Sequence, residues 1–249
     1  MSNRFKNQER LIDHEAIKTT KFLVVGAGAI GSYVVATLAK MGMRDCVVYD
    51  DDKIEDHNIS NQLYPLYLVS KPKVEALESV AFDYGEAAIT PINERWSHDN
   101  ARDADIIIVA VDDMDVRKAI WDYYKDRPHK LFLEGRMAAQ VFSVYGVEAN
   151  NTAAKAYYET QLYPQSEAMP DRCGEKSIIY TVLQVSGQML SQVKRFLMKE
   201  YRPTRVNYDC LNDDIRKGPY HMELKMEEFI AEEEPETEAE LVYHSDAIQ

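Results

Sequence analysis

The chain has 249 residues, of which 45% are hydrophobic, and its formal net charge at pH 7 is −13. This composition supports a sizeable core, and the acidic balance argues against nucleic acid or an anionic membrane as the main partner. The sequence contains no apolar run long enough to span a bilayer and no signal-peptide core. The three cysteines are widely spaced and form no Cys-x-x-Cys pair, so we expect a reduced, cytoplasmic chain without a zinc site of that type.

The first predicted unit is a strand, a glycine-rich turn and a helix. The short strand Phe22–Val25 is followed by Gly26, Gly28 and Gly31 in the pattern G-x-G-x-x-G. These glycines suit a tight turn, close approach of a phosphate and close helix–strand packing, respectively. Asp50 ends the next strand, about 20 residues beyond the turn, where an acid usually holds a ribose hydroxyl. The spacing indicates a Rossmann-type nucleotide-binding fold; a glycine turn that serves packing alone is the alternative.

A polar segment follows the second strand, at the carboxyl edge where open α/β sheets bind ligands. It contains three consecutive aspartates, residues 50–52, and then Asn58, Asn61 and Gln62. Adjacent carboxylates repel one another unless a cation or hydrogen-bond donors compensate them. The segment is therefore a candidate ligand site, with a solvated loop as the alternative.

The next predicted helix begins near Pro72, which suits a first helical position, with Ser70 as its cap. Lys73 then lies in the first turn, where the helix dipole disfavours a cation. A phosphate ligand would explain that placement, and a solvent-exposed lysine is the alternative.

Strands and helices continue to alternate, which is the pattern of a Rossmann-like, doubly wound and mostly parallel α/β sheet. The strand predicted over residues 104–111 ends in Asp112 and Asp113, again at a carboxyl edge. A strand over residues 138–147 follows the preceding strand without a helix, so we expect an antiparallel C-terminal extension. The other predicted strands are residues 46–49, 88–93, 130–134, 205–210 and 218–224. The other predicted helices are residues 7–18, 114–125, 151–163 and 176–201.

We expect residues 1–225 to form a single nucleotide-binding domain. Residues 226–249 are rich in glutamate and lack an apolar period, which predicts a disordered acidic tail. The helix over residues 176–201 carries two apolar stripes, one through Val182 and the other through Leu183, which indicates two packing partners. We interpret these partners as the sheet and a second subunit, so we expect a homodimer.

In this order, the segments resemble the ThiF/MoeB/HesA family, adenylyltransferases related to ubiquitin-activating enzymes. The family's phosphate loop is matched by GAGAIG, its D-x-D…N-L-x-R-Q segment by YDDDKIEDHNISNQ, and its P-K-V/A motif by KPKVEAL. Its D-x-x-D-N…R segment is similar to VAVDDMDVR, and its cysteine-bearing loop and long helix are similar to CGEKSIIYTVLQVSGQMLSQVKRFL. The resemblance covers roughly residues 8–197 and rests on the joint order of these motifs.

In that family a carboxylate attacks the α-phosphate of ATP, which gives an acyl adenylate and pyrophosphate. The resemblance implies that Asp50 binds the ribose, that Lys73 contacts phosphate, and that Asp112 holds Mg2+. Such chemistry depends on positioning and on neutralising charge, and one aspartate suits a hard cation shared with phosphates. The residues that the resemblance assigns to ATP binding are Gly26, Gly28, Ala29, Ile30, Gly31, Asp50, Asp52, Asn58, Asn61, Gln62, Lys73, Asp112 and Asp113.

The chain departs from the family pattern at two arginines, which are Asn7 and Asn61 here. The resemblance implies that those arginines contact the triphosphate, one of them across a dimer interface, so their loss weakens the case for adenylation. The candidate substitutes are Arg4, Lys6 and Arg136, although arginine and lysine are not equivalent on phosphate. The zinc-binding cysteine pairs of many relatives are also missing, so we expect no zinc.

Cys173 lies just before the long helix, where the helix dipole favours a thiolate. Some sulfur-transfer relatives use a cysteine at this place to capture the activated carboxylate. Cys173 is therefore a candidate catalytic residue together with Lys73 and Asp112, and an unreactive loop thiol is the alternative. Cys46 lies within a predicted strand, and we expect it in the core.

Three functional hypotheses follow. The leading one is an adenylyltransferase that uses ATP and Mg2+ to activate a carboxylate, such as the C-terminus of a small ubiquitin-like protein or a peptide. The second is a nucleotide-binding scaffold with reduced catalysis, which Asn7 and Asn61 favour. The third is an NAD-dependent oxidoreductase, which explains Gly28 and Asp50 but leaves Lys73 unexplained.

Overall fold

A computed structural model describes residues 3–168 and 177–219 of the chain. The helices in this part are α1 (His14–Thr19), α2 (Ala29–Met41), α3 (Lys73–Gly85), α4 (Met114–Tyr124), α5 (Thr152–Glu159) and α6 (Ile179–Leu197). The strands are β1 (Phe22–Val25), β2 (Asp45–Tyr49), β3 (Ala88–Ile92), β4 (Ile106–Val109), β5 (Leu131–Ala138), β6 (Val141–Glu148), β7 (Arg205–Asp209) and β8 (Asp214–Lys217). Short 3-10 helices cover Asn3–Gln8, Asp56–Ser60, Leu66–Leu68 and Gln165–Glu167.

These strands form one sheet in the order β3-β2-β1-β4-β5-β6-β7-β8. The pairs from β3 to β5 are parallel, and the pairs from β5 to β8 are antiparallel. The prediction of a Rossmann-like, mostly parallel sheet with an antiparallel C-terminal extension is confirmed. The strand order reverses between β1 and β4, so the carboxyl ends of these two strands flank the crevice where open α/β sheets bind ligands.

The sheet is covered on both faces. On one face α2, α3 and α6 pack through residues such as Val34, Leu77 and Met189. On the other face α4 and α5 pack through residues such as Trp121 and Tyr158. All four residues of β4 are buried, as expected for a central parallel strand between two helical layers. The two layers bury β1 and β4 completely and thereby position the crevice at the ends of these strands.

The two apolar stripes of α6 pack mostly against other elements of the same chain. This helix packs on β5 and on α2, and Leu190 of its second stripe is only 5% exposed. Leu183 of the same stripe is 50% exposed. Because α2 supplies the second partner, the stripes do not require another subunit over most of their length. The homodimer stays a prediction, and Leu183 marks the open part of the helix.

The antiparallel extension differs from the sequence prediction in its boundaries. The strand predicted over residues 138–147 is interrupted, because Ala139 has a φ of 50° and forms a turn between β5 and β6. Asp214–Lys217 is the last strand of the described part, and residues 218 and 219 of the strand predicted over residues 218–224 are not in a strand, whereas its other residues lie outside the described part. The Asp209 side chain accepts the Leu211 and Asn212 N–H groups, so the chain turns early and closes a short hairpin.

The helix predicted over residues 7–18 is also divided. Asp13 is the N-cap of α1, and its side chain accepts the N–H groups of Glu15 and Ala16. A helix that begins at such a cap cannot continue from the preceding 3-10 helix, so the segment forms two short helices.

The single domain over residues 1–225 stays a prediction, and the acidic tail predicted for residues 226–249 lies outside the described residues. None of the helices described here is both long and apolar enough to cross a membrane.

Candidate functional site

The glycine turn lies between β1 and α2. Gly26 has a φ of +98°, and a Cβ there would lie 2.6 Å from the Ala110 carbonyl oxygen just beyond β4. A Cβ on Gly31 would lie 1.8 Å from the Gly26 carbonyl oxygen, whereas a Cβ on Gly28 would meet nothing within 4 Å. The fold therefore requires the first and third glycines. Gly28 borders open space, where a ligand can approach the backbone.

The N-terminus of α2 faces the same space. Gly28 is its N-cap, and no side chain caps the first N–H groups of this 13-residue helix. Ala29 is partly exposed, and Ile30 is 7% exposed and packs into the core below. The uncapped N–H groups and the positive end of the helix dipole together favour an anion at this position.

Asp50 connects the end of β2 to the glycine turn. Its Oδ2 accepts the Ala27 N–H at 2.7 Å, and its Oδ1 accepts the Asp52 N–H at 3.0 Å. Burial raises the pKa of Asp50, although the Lys73 ammonium opposes this effect. Each carboxylate oxygen has two lone pairs, so each can accept a further donor such as a ribose hydroxyl.

Lys73 opens α3 and lies between two of the predicted carboxylates. Its side chain is only 7% exposed, and its Nζ lies 2.6 Å from Asp52 Oδ2 and 3.7 Å from Asp50 Oδ1. The alternative of a solvent-exposed lysine is therefore wrong. The predicted Ser70 cap is also wrong. Pro72 is the N-cap, and no side chain caps this helix. The Ser70 N–H donates to the Ile54 carbonyl oxygen.

The three amide side chains of the polar segment have different surroundings. Asn58 is buried, and its Oδ1 accepts the Glu55 N–H at 2.9 Å. Asn61 donates from Nδ2 to Ser177 Oγ at 2.9 Å. Gln62 Oε1 is buried and has no hydrogen-bond partner among the residues described. Gln62 therefore keeps an acceptor for a ligand, whereas Asn58 and Asn61 are engaged within the chain.

Asp112 and Asp113 follow β4 at the crevice, close to the glycine turn. Asp113 is the N-cap of α4, and its Oδ1 accepts the Asp115 and Val116 N–H groups at 2.8 and 3.0 Å. Asp112 is exposed. Residues 3–168 and 177–219 contain no group of three His, Cys, Asp or Glu side chains that could hold a metal ion. A single exposed aspartate could serve Mg2+, because this ion is usually bound by one or two carboxylates together with phosphates and water.

A buried charged network lies beside the same edge, at the end of the parallel part of β5. Glu134 has no solvent exposure, and its carboxylate is bonded to Arg117, Arg136 and Tyr158. Burial alone would raise the pKa of Glu134, but the two guanidinium groups outweigh burial and lower it. The Arg117 guanidinium also donates to the Val111 carbonyl oxygen, directly before Asp112. The network therefore ties the segment that carries Asp112 to β5 and α5.

This network was not predicted from the sequence, although one indication was present. The strand KLFLE is apolar except at its ends, and an arginine follows Glu134 two residues later. A carboxylate at the end of a fully buried strand requires compensation by positive charge or hydrogen bonds. The partners from α4 and α5 are distant in sequence and carry no recognisable spacing.

The candidate substitutes for the missing arginines have other partners. Arg4 pairs with Glu86 at 2.6 Å, beyond the C-terminal end of α3. That end lies about 18 Å from Lys73 along the helix axis, at 1.5 Å per residue. Arg136 binds Glu134 through two nitrogens, and Lys6 is exposed on the first 3-10 helix. Neither arginine is therefore directed at the glycine turn.

Cys173 lies outside the described residues, and its catalytic role stays a prediction. The segments on either side of it are anchored near the crevice. Gln165 Oε1 accepts the Met114 N–H at 2.8 Å, and Ser177 accepts the bond from Asn61. Cys46 is buried in β2, as predicted, and burial raises the pKa of its thiol.

Residues 5–226 match the sequence model of the ThiF family. Among curated proteins, ubiquitin-like modifier-activating enzyme 5 of Rattus norvegicus is 26% identical over 126 residues, which cover 43% of this chain and 31% of that protein. The probable molybdopterin-synthase adenylyltransferase of Pyropia yezoensis is 28% identical over 223 residues, which cover 84% of this chain and 58% of that protein. Both matches therefore span less than two thirds of the relative's length.

The fold is shared with a solved structure, that of E. coli MccB with ATP. The superposition has a TM-score of 0.70 at 16% sequence identity and covers 90% of this chain and 74% of that chain. At this identity, the similarity shows the fold.

Proposed function

Because this chain belongs to the ThiF family, we propose that it is an ATP-dependent adenylyltransferase, which activates a carboxylate as an acyl adenylate and releases pyrophosphate. The observation that carries the proposal is the arrangement of four features at the sheet edge around the reversal of strand order. The uncapped N-terminus of α2 provides donors for phosphate, and Asp50 provides an acceptor for the ribose. Lys73 provides a cation, and Asp112 provides a carboxylate for a metal ion.

In the proposed reaction, a carboxylate oxygen attacks the α-phosphorus of ATP. The bond from that phosphorus to the bridging oxygen breaks, and its electron pair leaves with pyrophosphate. The N–H groups of α2 hold phosphate oxygens, and Lys73 neutralises the charge that develops on the α-phosphate. Asp112 would hold Mg2+, which neutralises charge on the phosphates.

We propose that the acceptor is the C-terminal carboxylate of a small ubiquitin-like protein or of a peptide. The name of the Rattus norvegicus relative, an activating enzyme for a ubiquitin-like modifier, supports this class of acceptor. We also propose a homodimer, in which the second copy would cover the exposed part of α6 around Leu183.

A nucleotide-binding scaffold with reduced catalysis is the second candidate function. Asn61 stands where the family has an arginine, and its side chain is bonded to Ser177. Arg4 is paired with Glu86, at the end of α3 that lies away from the crevice. The scaffold hypothesis predicts ATP binding without turnover. An NAD-dependent oxidoreductase would use Gly28 and Asp50 but would leave the buried Lys73 unexplained.

Thermal unfolding with ATP and Mg2+, ATP and a chelator, or NAD+ tests nucleotide binding. A ligand at about 100 times its dissociation constant adds about 2.7 kcal/mol to the free energy of unfolding. For a chain of this size the expected increase in Tm is about 5–10 °C. A shift with ATP that requires Mg2+ supports the proposal, whereas a shift with NAD+ alone refutes it.

Exchange of labelled pyrophosphate into ATP separates catalysis from binding. The acceptors would be a panel of peptides with free C-terminal carboxylates, and the same peptides with amidated C-termini would be the controls. The Lys73→Met variant should lose exchange, whereas Lys71→Met changes an exposed lysine two residues earlier and should retain it. ATP binding without exchange by any acceptor would favour the scaffold.

A further inference from the structure

Asp52 contacts Lys73 through both its backbone and its side chain. The Lys73 N–H donates to the Asp52 carbonyl oxygen at 3.0 Å, and Lys73 Nζ donates to Asp52 Oδ2 at 2.6 Å. The same loop is fastened to the start of α3 by two further bonds, from the Ile54 N–H to the Lys71 carbonyl oxygen and from the Ser70 N–H to the Ile54 carbonyl oxygen. The backbone of Asp52 is therefore held beside Lys73, and only its side chain is free to rotate.

The two carboxylates around Lys73 differ in their freedom. Asp50 is 10% exposed, and both of its oxygens accept backbone N–H groups. Asp52 is 66% exposed, although it lies closer to the ammonium. Water can solvate the Asp52 carboxylate if it leaves the lysine, because most of its surface already faces solvent. The Asp50 carboxylate cannot leave without breaking its bonds to the Ala27 and Asp52 N–H groups.

This geometry bears on how a phosphate reaches Lys73. The ammonium is buried except for 7% of its side chain, so it requires a counter-ion when no phosphate is bound. Asp52 supplies that counter-ion from the exposed side. An incoming phosphate must then replace the Asp52 carboxylate, because it would otherwise be a third anion beside Asp50 and Asp52 on one ammonium, and like charges repel each other.

We propose that Asp52 is a positioning residue that acts as a displaceable counter-ion. It holds the Lys73 ammonium in place before ATP binds, and its side chain turns to solvent when the phosphates of ATP take its position. This inference rests on the proposed function, because it requires that Lys73 binds phosphate. ATP affinity is then set by the exchange of one anion for another on Lys73.

The Asp52→Asn variant removes the charge and retains the shape of the side chain. Calorimetric titration with ATP and Mg2+ should give a Kd about tenfold lower than that of the wild type, which corresponds to about 1.4 kcal/mol. The affinity for adenosine should not change, because adenosine carries no phosphate. Asp51→Asn removes the same charge at an exposed neighbour and should change the ATP affinity by no more than about twofold, because solvent screens it. Asp52→Glu keeps a counter-ion and should remain within about threefold of the wild type.

Several results would overturn the inference. The first is that Asp52→Asn and Asp51→Asn bind ATP with equal affinity. The second is that Asp52→Asn binds ATP more weakly than the wild type, which would make Asp52 a ligand of the nucleotide or its metal ion. An equal change for ATP and adenosine would indicate a general distortion of the site. Asp52→Ser, a second uncharged variant, should reproduce the tighter binding, and its failure to do so would also count against the inference. A wild type that binds no ATP would overturn the proposed function as well, so the two failures are distinguishable.

Discussion

Replacement of Glu134 by glutamine measures how far one carboxylate stabilises the buried network. Glu134 has no solvent exposure, and Arg117, its partner, has a side chain that is 6% exposed. Glutamine has nearly the same shape but leaves that guanidinium without a carboxylate. Removal of one partner from a buried ion pair costs about 3–5 kcal/mol. At about 2–4 °C per kcal/mol for a chain of this size, the Tm should fall by about 6–20 °C.

Urea unfolding and calorimetry measure this loss, and Glu159→Gln is the matched control. Glu159 is 48% exposed and pairs with Lys125 at 3.4 Å, so its replacement should cost only about 0–1 kcal/mol. If the free energies of unfolding of the two variants agree within about 1 kcal/mol, the Glu134 carboxylate does not compensate the buried guanidinium groups. That result would refute the reasoning.

Four further predictions concern the pH dependence of the buried network, the glycine turn, the metal site and the homodimer. The pKa of Glu134 is lowered in the folded chain, so its stabilising contribution is present above the unfolded value of about 4.3 and is lost as the pH falls through the folded value. In urea unfolding, the difference between wild type and Glu134→Gln should therefore shrink below about pH 4.3, and a constant difference would contradict this assignment. Gly31→Ala places a Cβ 1.8 Å from a backbone oxygen and should lower stability by about 1–3 kcal/mol, whereas Gly28→Ala points into open space and should weaken ATP binding with little change in Tm. Equal loss of stability in both glycine variants would argue against these separate roles. Asp112→Ala should abolish the Mg2+-dependent part of the thermal shift with ATP; an unchanged Mg2+ dependence would remove Asp112 from the metal site. Light scattering should give about twice the chain mass of 28.6 kDa, and Leu183→Asp should shift it towards a single chain. A wild-type mass of one chain at micromolar concentration would count against the homodimer.

The glycine turn and the fold class were predictable because their causes are local. The spacing of Gly26, Gly28 and Gly31 between a short buried strand and a helix allows few backbone arrangements. The alternation of strands and helices likewise implies parallel pairing with the helices on both faces. Element boundaries were less predictable where a single residue ends a regular segment, as Ala139 does in the turn between β5 and β6 and Asp13 does at the start of α1.

Strand ends are local features, so the strand pattern was enough to indicate which polar residues lie at the carboxyl edge. Which of those residues contact one another depends on how the whole chain folds. Lys73 was expected to contact phosphate, and the fold places it against Asp52, 21 positions earlier. Asn61 meets Ser177 across 116 positions, and Glu134 meets Arg117 and Tyr158 across 17 and 24 positions. Such pairs form because helices from both layers pack against one sheet, and the relative placement of those layers depends on the whole core and not on any local spacing.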